Sequence, residues 1–347
     1  MDRDDIQGIV LHGYRSLPFA RYHLLSFGAG APRRVLSRLL TDISSCAEAR
    51  ASLRLQLALS ASGLVALGLS ERELGQFSRE FRQGMAHPER SAALGDGPDE
   101  TPETWEFGGP STPAVDALCM TFAVSHEQRE ELGGERERLF ERFGVSSFSY
   151  DALGLDGPRE AQPPIQGRRF RRRTQAPLGE FVLGECDAVG ERTRGPFVPV
   201  KYGTRPMPEW SRPQRALDFG QNGSYLVVRK LARNGAFDPE NQARLAAEHA
   251  RRALGSDDRF THRLLRRSRR LADGLWFMAL NADIRRQFEF VQQSQCNEPG
   301  PDGRRDPLVG RAPGGSHDAA RCFRLRGGAY FFLPSIRALN YLAEPGP

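Results

Sequence analysis

Lysine is nearly absent from this chain. Of 49 basic residues in 347, only Lys201 and Lys230 are lysine, which leaves 47 arginines; with 43 acidic residues the formal net charge is +6. Such a skew fits a GC-rich coding bias better than selection for nucleic acid, even though guanidinium is the better partner for phosphate and carboxylate. Cysteine is sparse as well. Cys46, Cys119, Cys186, Cys296 and Cys322 lie far apart without a Cys-x-x-Cys pair, which argues against a zinc ribbon or a disulfide framework and fits reduced thiols. No apolar run approaches the ~20 residues of a membrane span. The start, Met1-Asp2-Arg3-Asp4-Asp5, lacks the basic and apolar regions of a secretory leader, so a cytoplasmic location is expected. A Walker loop, G-x-S-x-G, H-E-x-x-H and a G-x-G-x-x-G after a strand are all missing, which removes the commonest nucleotide-binding and hydrolase readings.

What is present is a repeated alternation of elements. Arg21 to Phe27 reads as a strand stopped at Gly28, followed by a helix from Pro32 whose Val35, Leu36, Leu39 and Leu40 form an apolar stripe. Leu53, Leu55, Leu57 and Leu59 alternate as in a strand with one buried face. A short helix (Ala61 to Leu69), a loop-rich insertion (Gly95 to Pro113), an apolar strand (Ala117 to Val124) and a charged helix (His126 to Phe143) follow. The second half repeats the plan: a strand at Gly223 to Val228, an alanine-rich helix at Pro239 to Leu254, a strand at Gly274 to Leu280 and a helix at Asp283 to Gln293 opened by its aspartate. It closes with a strand at Gly328 to Leu333, stopped by Pro334, and a helix from Ser335. This predicts an α+β protein of two ferredoxin-like halves, residues 1–165 and 214–347, with a proline-, glycine- and arginine-rich connector at 166–213.

Two features carry candidate chemistry. Among seven histidines, His249 has the most suggestive setting: Leu245, His249 and Ala253 recur at helical spacing, and Ala246 and Ala250 beside them leave room for a flat macrocycle. From spacing alone a packed core histidine is the simpler account. The run Arg168-Arg-Phe-Arg-Arg-Arg173 is a candidate anion or nucleic-acid patch. No aromatic-interleaved reader motif accompanies it, so a solvated loop is the simpler account and nucleic acid is not expected.

Several ordered stretches resemble the dye-decolourising (DyP-type) haem peroxidases. They include Asp5-Ile-Gln-Gly-Ile-Val-Leu-His-Gly-Tyr14, Trp105-Glu-Phe-Gly-Gly109, Gly179-Glu-Phe-Val-Leu-Gly184 and Asn222-Gly-Ser-Tyr-Leu-Val-Val-Arg-Lys-Leu231. Further on come Asn281-Ala-Asp-Ile-Arg-Arg-Gln-Phe-Glu-Phe-Val-Gln-Gln293, Asp306-Pro-Leu-Val-Gly310 and Arg326-Gly-Gly-Ala-Tyr-Phe-Phe-Leu-Pro334. The resemblance implies haem b held mainly by the second half, and hydrogen peroxide and a small organic electron donor as reaction partners. Self-association is left open. It also implies His249, in Ala247-Glu-His-Ala-Arg-Arg252, as iron ligand, Arg266, in Leu264-Leu-Arg-Arg-Ser268, as the distal cation, and Arg251 as a partner for haem propionates. His262 falls on a family position of structural type, and Trp276 reads as a strand core residue.

The family's distal acid lies in a Gly-x-x-Asp-Gly element followed by Ser-Gln-Pro, and here it is out of register. Measured from the anchor Gln162 to Gly167, Asp156 lies two residues too far and Glu160 two too near; a third alignment deletes the motif. Asp156 and Glu160 therefore both stand as candidate acids. The alternative function is a diverged haem protein with little peroxidase turnover, or a haem-free binding protein.

Overall fold

The computed structural model describes residues 2–48, 53–97, 100–154, 177–199, 216–233, 262–299, 305–306, 310 and 323–344. The strands are β1 (Phe19–Ser26), β2 (Leu53–Leu59), β3 (Ala117–Ala123), β4 (Ser146–Leu153), β5 (Phe197–Pro199), β6 (Ala216–Asp218), β7 (Ser224–Arg233), β8 (Leu265–Arg266), β9 (Arg269–Arg270), β10 (Gly274–Asn281) and β11 (Phe323–Leu333). The helices are α1 (Pro32–Leu39), α2 (Ala61–Ala66), α3 (Glu71–Leu74), α4 (Arg79–Gln83), α5 (Pro88–Leu94), α6 (His126–Arg142) and α7 (Ile336–Ala343). Between β10 and β11 run two π-helical turns, Arg285–Glu289 and Val291–Asn297. The expected aspartate cap is there, since Asp283 Oδ1 accepts from the Arg286 N–H at 2.8 Å. Ser335 likewise caps α7 by accepting from Ala338 N–H.

Strand order gives the architecture. The first half runs β2-β3-β1-β4, and the second runs β11-β7-β10 with both β8 and β9 on β10. In each half the first strand is central, flanked by the third and fourth, and the second strand lies outside the third; this is the ferredoxin-like order, reached twice. The halves meet through single residue pairs, Phe332 with Leu59 and Leu153 with Arg270. The β7 and β10 pairing completes a closed ring, which leaves few free edges.

Because strand side chains alternate between faces, closure creates two separate cores. Ala20, Tyr22, Leu24, Ala58, Trp276, Met278, Leu280 and Phe331 point inward. Leu25, Leu55, Leu57, Val227, Ala279 and Tyr330 point outward beneath helices. Trp276 is fully buried, stacked on Tyr22 at 5.1 Å between ring centroids, as its strand-core reading anticipates.

The one-faced reading of β2 is corrected by this closure, for its polar alternates are buried as well. Gln56 accepts from Ile9 N–H at 2.9 Å and donates to Ser44 O. Gln7 in turn donates to Leu57 O and Pro334 O, both at 2.8 Å, and accepts from Leu57 N–H. The N-terminal segment thus lies inside the ring and ties the first half's β2 to the end of β11. Strand β4 and the short β8 and β9 are additions to the sequence reading. The helix expected at Pro239 to Leu254 and the arginine run at Arg168 to Arg173 lie outside the described residues.

His23 on β1 is fully buried against Phe140 of α6, ring centroids 5.5 Å apart. Burial, aided by the Arg21 cation, lowers its pKa from 6.5 to about 4. Glu137 lies 3.5 Å from Nε2 but is 44% exposed and makes no hydrogen bond to the ring, so burial prevails. The imidazole is neutral in the native state, while the unfolded chain takes up a proton below pH 6.5. Stability is therefore expected to fall by up to roughly 3 kcal/mol between pH 6.5 and pH 4 from this group. Urea unfolding of the native chain and of His23→Leu at both pH values checks this: the variant should lose that part of the acid sensitivity.

Candidate active site

The segment Leu264-Leu-Arg-Arg-Ser-Arg-Arg270 supplies the candidate site and its support by simple alternation. Leu265 and Arg266 pair with Leu280 and Ala279, and Arg269 and Arg270 with Trp276 and Leu275. The register is the same on both sides of Ser268, so the passage from β8 to β9 brings no slip. Ser268 Oγ accepts from Met278 N–H at 3.3 Å.

Arg267 and Arg269 turn inward. Arg267 Nε donates to Ile9 O at 2.6 Å and its Nη2 to Val10 O at 2.5 Å. Arg269 donates to Leu17 O at 2.7 Å and to Tyr14 O at 2.9 Å, with its guanidinium 4.8 Å from the Phe122 ring. Burial pulls the Arg267 pKa down to about 10, with the nearby Tyr14 and Cys46 opposing.

Arg266 turns the other way, onto the outer face of the second half beside Ala279. Burial lowers its pKa, and the charges that oppose this are Cys296 and Asp306, both buried. Among the described residues no side chain forms a hydrogen bond or ion pair with its guanidinium. A desolvated, unpaired cation is costly unless something anionic or strongly polar meets it.

The same face of the second half carries aromatic and apolar side chains. Phe277 and Phe288 lie 6.1 Å apart, and Phe288 meets Tyr330 edge-on at 6.2 Å. Deeper in, Arg229 pairs with Asp96 at 2.5 Å, both fully buried, and its guanidinium lies 5.7 Å from the Phe288 ring. Tyr330 donates to Glu289 Oε1 at 3.0 Å, and Arg90 donates to Glu289 Oε2 at 2.9 Å. Sequence reading missed Arg229 and Glu289, yet each left a trace: a charged residue inside the apolar runs Tyr225 to Leu231 and Phe288 to Val291.

Of the predicted site residues, Arg266 is the one the described structure contains. His249, Arg251, Asp156 and Glu160 lie outside the described residues. His262 is structural here: its ring stacks on Phe290 at 3.7 Å and its Nδ1 meets Arg286 O. No cluster of three or more metal-ligating side chains occurs among the described residues, and none of their helices is long and apolar enough to cross a membrane.

The residues present fit a haem. A half-buried guanidinium without a partner among the described residues, on the face that carries Phe277 and Ala279, offers a flat macrocycle one cation beside an apolar wall. Replacing Arg267 by methionine removes the inner donors and leaves the buried Ile9 and Val10 carbonyls without them. A loss of about 2 kcal/mol in urea unfolding is expected.

No family model matches the chain. In a stretch spanning 20% of this chain and 20% of that protein, it is 35% identical to the multifunctional dye peroxidase DyP2 of an Amycolatopsis species. Among solved structures, a DyP-type peroxidase from Anabaena superposes over 98% of this chain and 94% of its own, with a TM-score of 0.71 at 18% identity. A decolourising peroxidase from Auricularia auricula-judae covers 99% of this chain and 100% of its own (TM-score 0.66, 16% identity). The Amycolatopsis DyP2 structure covers 98% and 96% (TM-score 0.63, 19% identity). The family resemblance read from the sequence is thereby supported by an independent comparison of folds, and the chain is built on the fold of the DyP-type peroxidases.

Proposed function

We propose that the chain is a haem b-dependent peroxidase of the DyP type, which reduces hydrogen peroxide and oxidises a small organic donor. The observation that carries this reading is Arg266, a desolvated guanidinium without a partner among the described residues, on the aromatic outer face of the second half. Haem, when bound, supplies the redox chemistry that couples peroxide reduction to donor oxidation.

The chain's own residues set the conditions. His249 would hold the iron and Arg251 a propionate. Arg266 stabilises the negative charge that develops on peroxide oxygen, with an effect enlarged by its partly desolvated surroundings. Phe277 and Phe288 exclude water from that face. Asp156 or Glu160 would move a proton between the peroxide oxygens, which is general acid and base work.

A second reading keeps haem and loses turnover, and rests on the displaced acid element between Leu153 and Gln162. One set of variants separates the two. Wild-type protein reconstituted with haem should show a Soret band and oxidise a dye with peroxide; a Soret band without oxidation supports the second reading. His249→Ala should abolish the Soret band. Arg266→Leu should retain it and lower peroxide turnover about 10²- to 10³-fold. If turnover survives Asp156→Ala with Glu160→Ala, neither carboxylate is the proton carrier.

A further inference from the structure

Resting on the peroxidase reading, we infer that Arg267 is a positioning residue for Arg266, fixing it by clamping the β8 backbone to carbonyls of the N-terminal segment. No side-chain contact among the described residues holds the Arg266 guanidinium in place. Its stem hangs on a strand of two half-buried residues, Leu265 and Arg266, which meets β10 through two residue pairs. An arginine side chain keeps much rotamer freedom unless a partner ends it. The space this one reaches is therefore set by its backbone, and by whatever holds that backbone.

Arg267 holds it from three sides. Its N–H donates to Met278 O at 2.8 Å, which extends the attachment to β10 by one bond. Its guanidinium lies on the inner face and is buried. There Nε donates to Ile9 O at 2.6 Å and Nη2 to Val10 O at 2.5 Å, while Nη1 turns back to Arg266 O at 3.3 Å. The last bond ties the two arginines directly. Because the peptide unit is planar, the direction of a carbonyl fixes the ψ angle of its own residue, so a group that holds Arg266 O also holds the course of the chain at Arg266. One planar fork thereby joins the peptide of the distal cation to a segment 258 positions away in sequence.

The far end of the clamp is itself fixed. Ile9 and Val10 are fully buried. Ile9 N–H donates to Gln56 Oε1 at 2.9 Å and Val10 N–H to Gln7 O at 3.1 Å; Gln7 in turn bridges Leu57 and Pro334. Arg269 secures β9 in the same way, through Leu17 O and Tyr14 O, but Arg267 is the one that bonds Arg266 itself. Arg267 points to the opposite face of the sheet from Arg266, so its effect on turnover passes through the position of that residue and not through the reacting atoms. A displacement of about 1 Å at a reacting centre can cost about 10²-fold in rate.

The test uses the full chain with and without haem. In the haem-free protein, hydrogen exchange of residues 264–270 relative to β3 should accelerate about tenfold in Arg267→Met. Leu36→Ala, which opens a cavity in the core of the first half, should leave that ratio unchanged. An unchanged ratio in Arg267→Met overturns the assignment. In the haem-loaded protein Arg267→Met should keep the Soret band and lower kcat/KM for peroxide about tenfold when Arg266 is present, but less than about twofold in the Arg266→Leu background. Losses that multiply in the double variant overturn the assignment, because Arg267 then acts independently of Arg266. Where Arg267→Met does not fold, Arg267→Lys carries the same comparisons, since it keeps the inner charge and loses the planar fork. Haem-loaded wild type without turnover overturns the peroxidase reading instead, and the exchange ratio still decides whether Arg267 fixes β8.

Discussion

Two inward-facing guanidiniums hold the geometry of the candidate site in place. Arg267, between the short strands β8 and β9, and Arg269, on β9, both donate hydrogen bonds to main-chain carbonyls of the N-terminal segment, at Ile9, Val10, Tyr14 and Leu17. β8 and β9 pair with β10 through only four residue pairs, too few to be rigid by themselves. The carbonyls fix them from behind. Because side chains alternate along a strand, fixing Arg267 inward fixes Arg266 outward. The position of the proposed distal cation thus depends on residues of the other half of the fold, far away in sequence.

The same segment explains why the ring closes although its seams are thin. Each half meets the other through a single residue pair at either side. What spans the gap is polar and buried: Gln7 joins Leu57 to Pro334, and Asp5 accepts from Asn222 at 2.8 Å and from the Arg337 N–H at 2.8 Å. In a core where an unmet carbonyl or amide costs about 1–3 kcal/mol, these bonds set the register of one half against the other. Apolar packing between Tyr22, Phe107, Trp276 and Phe331 supplies attraction without direction.

Periodicity made most of this fold legible. The repeated strand and helix order, the caps at Asp283 and Ser335 and the core role of Trp276 follow from local pattern, and local pattern is what a single sequence records. β4 was hidden because Ser146-Ser-Phe-Ser-Tyr-Asp-Ala-Leu153 is half polar and much of it faces water. The second face of β2 escapes local pattern for the opposite reason: Arg54 and Gln56 look solvated, but the N-terminal segment and Glu48 bury and pair them. At the site, spacing could nominate His249 and resemblance could nominate Arg266. Neither could reveal that Arg229, Glu289 and Tyr330 meet on the outer face of the second half, since those contacts join strands and turns separated by scores of residues.

The arginine excess acquires a physical meaning here that composition alone does not supply. Inside the ring, guanidinium forks cap pairs of carbonyls, a task a lysine ammonium with its compact charge performs less well. On the outer face the same residue type stands paired at Arg229 with Asp96, and without a partner among the described residues at Arg266. The charge of the paired one is met by Asp96; that of the other is opposed among the described residues by the more distant Cys296 and Asp306. One of the chain's two lysines, Lys230, shows the contrast. It is adjacent in sequence to Arg229 but points inward, where a single ammonium is met by Glu106 at 2.7 Å, Asp273 at 2.9 Å and the Tyr150 ring at 4.8 Å. Three partners around one point suit lysine; planar forks suit arginine. The choice at each position follows the shape of what must be satisfied, and Arg266 is the fork whose counterpart the described protein does not contain.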